Sequence, residues 1–182
     1  MTRLPLVDPE KASPAVREAL DALPVRLNIF RMMAHAETSF RPLLRLGAAI
    51  LSRQELAPKL RELAILQAAR LTPGRYEWVQ HVPIAKAVGA SDAEIAAVER
   101  TEWDAPCFGE AERLALRFGA ETLQHAAVSD DLFAAVRRHF SPREIVELIL
   151  TLGYYSMLGR LTEVTQTDLD GPVGTAVVDG LG

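Results

Sequence analysis

Apolar residues recur along this chain every three to four positions and almost nowhere alternate with polar ones, which predicts helices and almost no strand. Ser13-Pro14 offers a capping side chain followed by proline at the first helical position, opening a helix to about Leu23. A short helical segment follows over Leu27–Met33, then a helix from about Ser39 to Leu51. Pro58 opens the next helix and Thr72-Pro73-Gly74 ends it. Another runs from about 75 to 89, and Pro83 within it, unable to donate to the carbonyl of Val79, is expected to bend it just past His81.

Ser91-Asp92-Ala93-Glu94 is a capping box for a short helix to about Val98, and 100–109 reads as a loop. A helix spans 110 to about 125, and Ser129 is placed to cap another reaching about Phe140. Ser141-Pro142-Arg143-Glu144 joins a capping box to a proline and opens the last helix, which runs toward Asp168. The prediction is an all-α fold, a compact helical bundle. It has an N-terminal helical extension over 1–34, a helical domain over 35–170 and a flexible, frayed tail over 171–182. The run opened by Pro58 echoes the run opened by Pro142 once one residue is inserted. A duplicated helix hairpin leaves such an echo, and so do any two amphipathic helices opened by proline.

Composition narrows the picture without redirecting it. With 182 residues, 49% apolar and 24% charged, the chain can bury a substantial core as one domain with appended ends. The net charge of −4, with no basic stripe, points away from nucleic acid and from anionic membrane as partners. No apolar stretch is long enough to span a bilayer, and the N-terminus lacks a signal-peptide core. The single cysteine, Cys107, lies in the 100–109 loop without a basic partner in sequence and reads as a bystander thiol. A cytoplasmic location is expected.

One constellation stands out chemically: Glu62, Glu77 and His81. Glu77 and His81 are four apart and share a helix face. On the helical wheel of the preceding helix, Lys59, Gln67 and Arg70 fall in a polar sector, while Glu62 falls among Ile65, Leu66 and Ala69. A carboxylate there faces the interior or a partner, and His81, brought close by the short turn at 72–74, is placed to answer it. Two carboxylates and an imidazole in an apolar setting suit proton transfer. A structural Glu–His pair across a helix interface has the same spacing. Tyr154 and Tyr155 read as core or interface. His81 lacks a second histidine at ligand spacing, so no metal motif is present, and no phosphate loop, nucleophile elbow or dinucleotide fingerprint occurs.

The run from Arg61 through Leu71-Thr72 to Arg75-Tyr76-Glu77-Trp78-Val79-Gln80-His81 resembles the carboxymuconolactone decarboxylase / alkylhydroperoxidase D-like family, and Glu147 to Leu158 is similar to its closing helix. The resemblance covers about 35 to 165. It implies an all-α bundle assembled as trimers or hexamers, acting on a small molecule at a site near a subunit interface, with no cofactor. In the hydroperoxidase branch a glutamate, two cysteines and a histidine carry the chemistry. Laid on this chain they fall on Glu62, Gly74, Glu77 and His81, so both thiols are missing and peroxide reduction loses its nucleophile. The resemblance then implies a lyase or isomerase, acting on a small carboxylated or lactone substrate through a Glu62/Glu77/His81 proton-transfer site. A peroxidase, or a non-catalytic binding or assembly protein of the same fold, are the alternatives.

Overall fold

Glu62 and its surroundings sit where they do because one helix is enclosed on every side. In a computed structural model that describes residues 2–176, the helices are α1 (Pro14–Asp21), α2 (Asn28–Met33), α3 (Glu37–Arg53), α4 (Pro58–Leu71), α5 (Arg75–Ala87), α6 (Asp92–Glu99), α7 (Glu110–His125), α8 (Asp130–Val136) and α9 (Pro142–Thr165). No strand occurs among the described residues, so the fold is all-α. α4 packs against α5, α6, α7 and α9, and every residue from Leu60 to Ala69 is buried, as befits a helix at the centre of a bundle. Leu63 and Leu66 face a smaller cluster with Ala85, Ile95, Val98 and Leu116. Leu60, Ala64, Ile65 and Ala68 face the larger one with α1, α2, α3 and α9.

That enclosure corrects the polar sector assigned to α4. Gln67 is fully buried, and its amide donates to the Leu116 carbonyl of α7. Its carbonyl oxygen lies where a Cβ on Gly119 would fall, 2.1 Å away, so α7 needs glycine at that position. Lys59 remains partly exposed at the helix start, paired with Glu94 and Glu112. Arg70 is exposed at the other end, so only the middle of the sector, at Gln67, is enclosed.

The caps at Ser13, Ser91 and Ser141 form as expected. Ser129 stands at the N-cap of α8, but its hydroxyl makes no capping bond; its backbone N–H instead donates to Glu121. α8 stops at Val136, short of Phe140, and α9 stops at Thr165, short of Asp168, because Gln166 turns left-handed at φ 52°. α3 starts at Glu37 and reaches Arg53. α5 runs unbroken through Pro83 to Ala87. The two helices of the sequence echo, α4 and α9, pack on each other. No described helix is long and apolar enough to cross a membrane. Residues 177–182 of the expected tail lie outside the described residues. Before them, Asp170 accepts from the Asn28 backbone N–H (2.8 Å) and from the Tyr76 hydroxyl, and Gln80 bonds Asp170, Gly171 and Val173.

Candidate active site

The turn at Thr72-Pro73-Gly74 folds α5 back along α4, with the Gly74 N–H donating to the Ala69 carbonyl at 2.7 Å. The hairpin sets His81 beside Glu62: imidazole Nδ1 lies 2.8 Å from Oε2 of the fully buried carboxylate. The other carboxylate oxygen accepts from Arg61 Nε at 3.3 Å, and Arg61 is itself buried. Glu62 therefore stands between two basic groups, as a buried charge requires. From α9, Tyr155 sets its ring edge-on to the imidazole, centroids 4.7 Å apart at 84°.

The hydrogen bonds of Glu77 go elsewhere. One turn before His81, its carboxylate reaches α9, where the Thr162 hydroxyl donates to both oxygens at 3.2–3.3 Å. It fits there because Gly74 leaves room: a Cβ at that position would come within 2.7 Å of Oε2. Burial pushes the Glu77 carboxyl up to about 7, against the pull of its own backbone, of Thr162 and of the more distant His81. Among the described residues no three histidine, cysteine or carboxylate groups converge as metal ligands.

Glu77 and His81 both line a cavity of about 90 Å³ enclosed by α2, α3, α5 and α9, room for a few waters or a compact ring. Leu27, Phe30, Leu44, Leu51, Ile84 and Leu158 are among its apolar walls, and Tyr76, Gln80, Tyr154 and Tyr155 add polar edges. No lysine or arginine lines it. With Nδ1 engaged by Glu62, the ring nitrogen of His81 without a partner among the described residues is Nε2. Burial drives the Tyr155 phenol well above its ordinary range, so it stays a neutral donor.

Arg61, Tyr155 and Thr162 were missed by sequence reasoning. Arg61 had a signal: a glutamate inside an apolar run needs a counter-charge, and the arginine is its direct neighbour. Tyr155 and Thr162 had none, arriving from a helix more than seventy residues downstream. Cys107 is exposed in the α6–α7 loop, and Arg100 proves to lie within its electrostatic reach, a basic neighbour the sequence reading did not credit. His35 bonds the Pro5 carbonyl and His139 pairs with Glu110, both away from the cavity.

Residues 37–121 match the model of the carboxymuconolactone decarboxylase family. No curated protein is significantly similar in sequence. Among solved structures, the chain is similar to the alkylhydroperoxidase AhpD core of an uncharacterized peroxidase-related protein from Ralstonia eutropha, at 17% identity over 93% of this chain and 92% of that one, with a TM-score of 0.80. A protein of unknown function from Agrobacterium tumefaciens aligns at 23% identity over 75% of this chain and 94% of its own, TM-score 0.68. A debrominase aligns at 16% identity over 93% and 92%, TM-score 0.72. The chain is thus similar to the carboxymuconolactone decarboxylase family over residues 37–121, and its helical bundle has the alkylhydroperoxidase D-like fold.

Proposed function

We propose that the chain is a cofactor-free acid–base catalyst, a lyase or isomerase, that moves a proton through His81 on a compact lactone or similar unsaturated ring. The observation that carries this reading is the Glu62–His81 contact at the edge of an apolar cavity. Nδ1–H donates to Glu62, which fixes the ring and steadies the imidazolium once it forms, and Nε2 is left as the base facing substrate. Nε2 takes the proton from a carbon next to the ring carbonyl. The electron pair moves into the conjugated carbonyl, and the imidazolium returns the proton elsewhere on the ring. Where the substrate carries a carboxylate, loss of carbon dioxide supplies the same electron pair, and His81, entering this branch as the imidazolium, gives its Nε2 proton to the carbon left behind. Glu77, within electrostatic reach of His81, is the second proton-accepting group and changes charge near neutrality.

The walls favour a substrate that is mostly neutral, since among the described residues no lysine or arginine lines the cavity to meet a carboxylate. A debrominase of this fold was solved with 2,3,4-tribromopyrrole, likewise a compact ring. Thiol peroxidase chemistry is disfavoured: Gly74 and Glu77 occupy both positions that would need cysteine, and Cys107 is on the surface.

The test is a screen of wild type, His81→Ala and Glu62→Gln against unsaturated lactones and lactone acids, and against organic hydroperoxide with a thiol donor. Lactone turnover lost in the His81 variant is the expected result. Peroxide turnover that persists in Cys107→Ser would overturn the assignment. Ligand binding equal in wild type and His81→Ala, with no turnover in either, would make the chain a binding protein.

A further inference from the structure

In the decarboxylating branch every turnover consumes a proton. The carboxylate departs as carbon dioxide, its electron pair takes the Nε2 proton of the imidazolium, and His81 is left neutral. The ring must then be reloaded, yet it is buried and its Nδ1 is held by Glu62. The cavity mouth is a poor route for a charge. Among the described residues, its wall is exposed or half-buried at Leu23, Pro24, Phe30, Leu44, Ala48 and Leu51, and every one is apolar. A second hollow has the opposite character. Where the start of α5 meets the end of α9, a cleft of about 280 Å³ is lined by Arg75, Glu163, Gln166, Thr167 and Asp168, with Thr162 in its wall. A hydrogen-bonded pair joins the two hollows. Glu77 lines the cavity, Thr162 lines the cleft, and the Thr162 hydroxyl donates to Glu77 at 3.2 Å. Tyr76 borders both hollows, but burial holds its phenol protonated, and its hydroxyl is engaged by Asp170 and by the Ile29 N–H.

That hydroxyl can serve Glu77 in either charge state. A threonine has one proton to donate and lone pairs with which to accept. Around Thr162 Oγ1 stand the two Glu77 oxygens, at 3.2 and 3.3 Å, and the Leu158 and Gly159 carbonyls of its own helix, at 3.2 and 3.1 Å. It donates to Glu77 while the carboxylate is charged. When Glu77 holds a proton, the hydroxyl turns to one of the carbonyls and accepts from the acid instead, with no movement of the backbone. Burial, the largest influence, brings the Glu77 carboxyl up to about 7; of its charged neighbours, His81 on α5 pulls it down and Glu163 on α9 pushes it up. We propose that Thr162 and Glu77 are the proton inlet of the site. A hydrated proton in the cleft bonds to the Thr162 oxygen as Thr162 passes its own proton to Glu77, so the hydroxyl is unchanged and the carboxylate becomes the acid. Glu77 then gives that proton, through a water in the cavity, to Nε2 of His81 and is a carboxylate again. The inlet rests on the acid–base reading of His81 and supplies the imidazolium from which decarboxylation starts. Isomerisation returns the proton it takes and does not need it.

The inlet can be timed without substrate. The protonated-carboxyl band of Glu77, identified by its loss in Glu77→Gln, is followed by time-resolved infrared spectroscopy after a jump from about pH 8 to about pH 5, across the value near 7. Thr162→Val removes the hydroxyl at nearly constant shape and should slow the appearance of that band about tenfold or more, while Thr162→Ser should hold it within about twofold of wild type. Equilibrium titration of the same band tells a conduit from a fixed donor. A Thr162→Val variant whose midpoint moves while its protonation rate stays that of wild type would overturn the inlet. So would a Thr162→Ser variant as slow as Thr162→Val, or a Glu77 band that does not respond to the jump in wild type. No substrate enters the measurement, so a failed lactone screen and a failed inlet are separate results.

Discussion

Glu62 and Glu77 are both buried carboxylates near one imidazole, and their surroundings make them opposites. Glu62 is met by a cation on one oxygen and by a histidine on the other. Glu77 is met by a hydroxyl, beside Gly74, and burial drives its carboxyl up to about 7. Depth of burial does not distinguish them, since both are almost wholly enclosed. The partner does. At Glu77 the hydrogen-bonding partner is a neutral hydroxyl, and burial favours the protonated form.

Removing the first carboxylate should have the largest effect. Glu62→Ala leaves Arg61 and His81 buried without their acceptor, and should cost about 3–5 kcal/mol, read as a fall in the urea midpoint. A smaller loss than that of Glu77→Ala would break the contrast between the two sites.

The second carboxylate acts in the other direction. Its folded-state value near 7 lies above the ordinary 4.5, so the folded protein holds this proton more tightly than the unfolded chain. Stability should therefore fall as pH rises from about 4.5 to about 7 and level off above. Glu77→Gln should abolish that slope and be the more stable protein at pH 8 by up to about 3 kcal/mol, at about 1.4 kcal/mol per pH unit. Paired thermal or urea melts at pH 5 and pH 8 measure it, and parallel slopes in the two proteins would contradict the protonation assigned to Glu77.

The niche can be tested through its glycine. Gly74→Ala places a methyl 2.7 Å from Glu77 Oε2 and 3.1 Å from the Gly159 backbone, an overpacking worth roughly 1–3 kcal/mol. In a Glu77→Ala background part of that cost should vanish, and a double-mutant cycle gives the coupling. Smallest of all, Tyr155→Phe removes a hydroxyl that has no hydrogen-bond partner among the described residues. Stability should move by less than about 0.5 kcal/mol, while ligand affinity, followed by titration, weakens if that hydroxyl donates into the cavity.

What could be read from the sequence followed from local rules. The capping boxes at Ser91 and Ser141 and the prolines at 58 and 142 mark helix starts because they act over one turn. Glu62 and His81 could be placed together because a three-residue turn leaves two helices little choice but to pack side by side. Glu77 shares the cavity with His81, as i and i+4 on one face allow, but a shared face fixes direction only to a sector, and its carboxylate bonds Thr162 in the space that Gly74 leaves. Gln67 was misread for a related reason: a wheel knows one helix, and four neighbours decided its burial. The cavity itself comes from four helices far apart in the chain, so no window of sequence contained it.

Gly74 and Glu77 also constrain the order in which this site could change. With Glu77 in place, any side chain at 74 collides with its carboxylate, so a thiol arriving first at 74 would meet an immediate penalty. Exchange at 77 clears that obstacle and leaves the Gly159 backbone, 3.1 Å away, as the closest remaining neighbour. A route toward a two-thiol site thus meets less obstruction at position 74 once position 77 has changed.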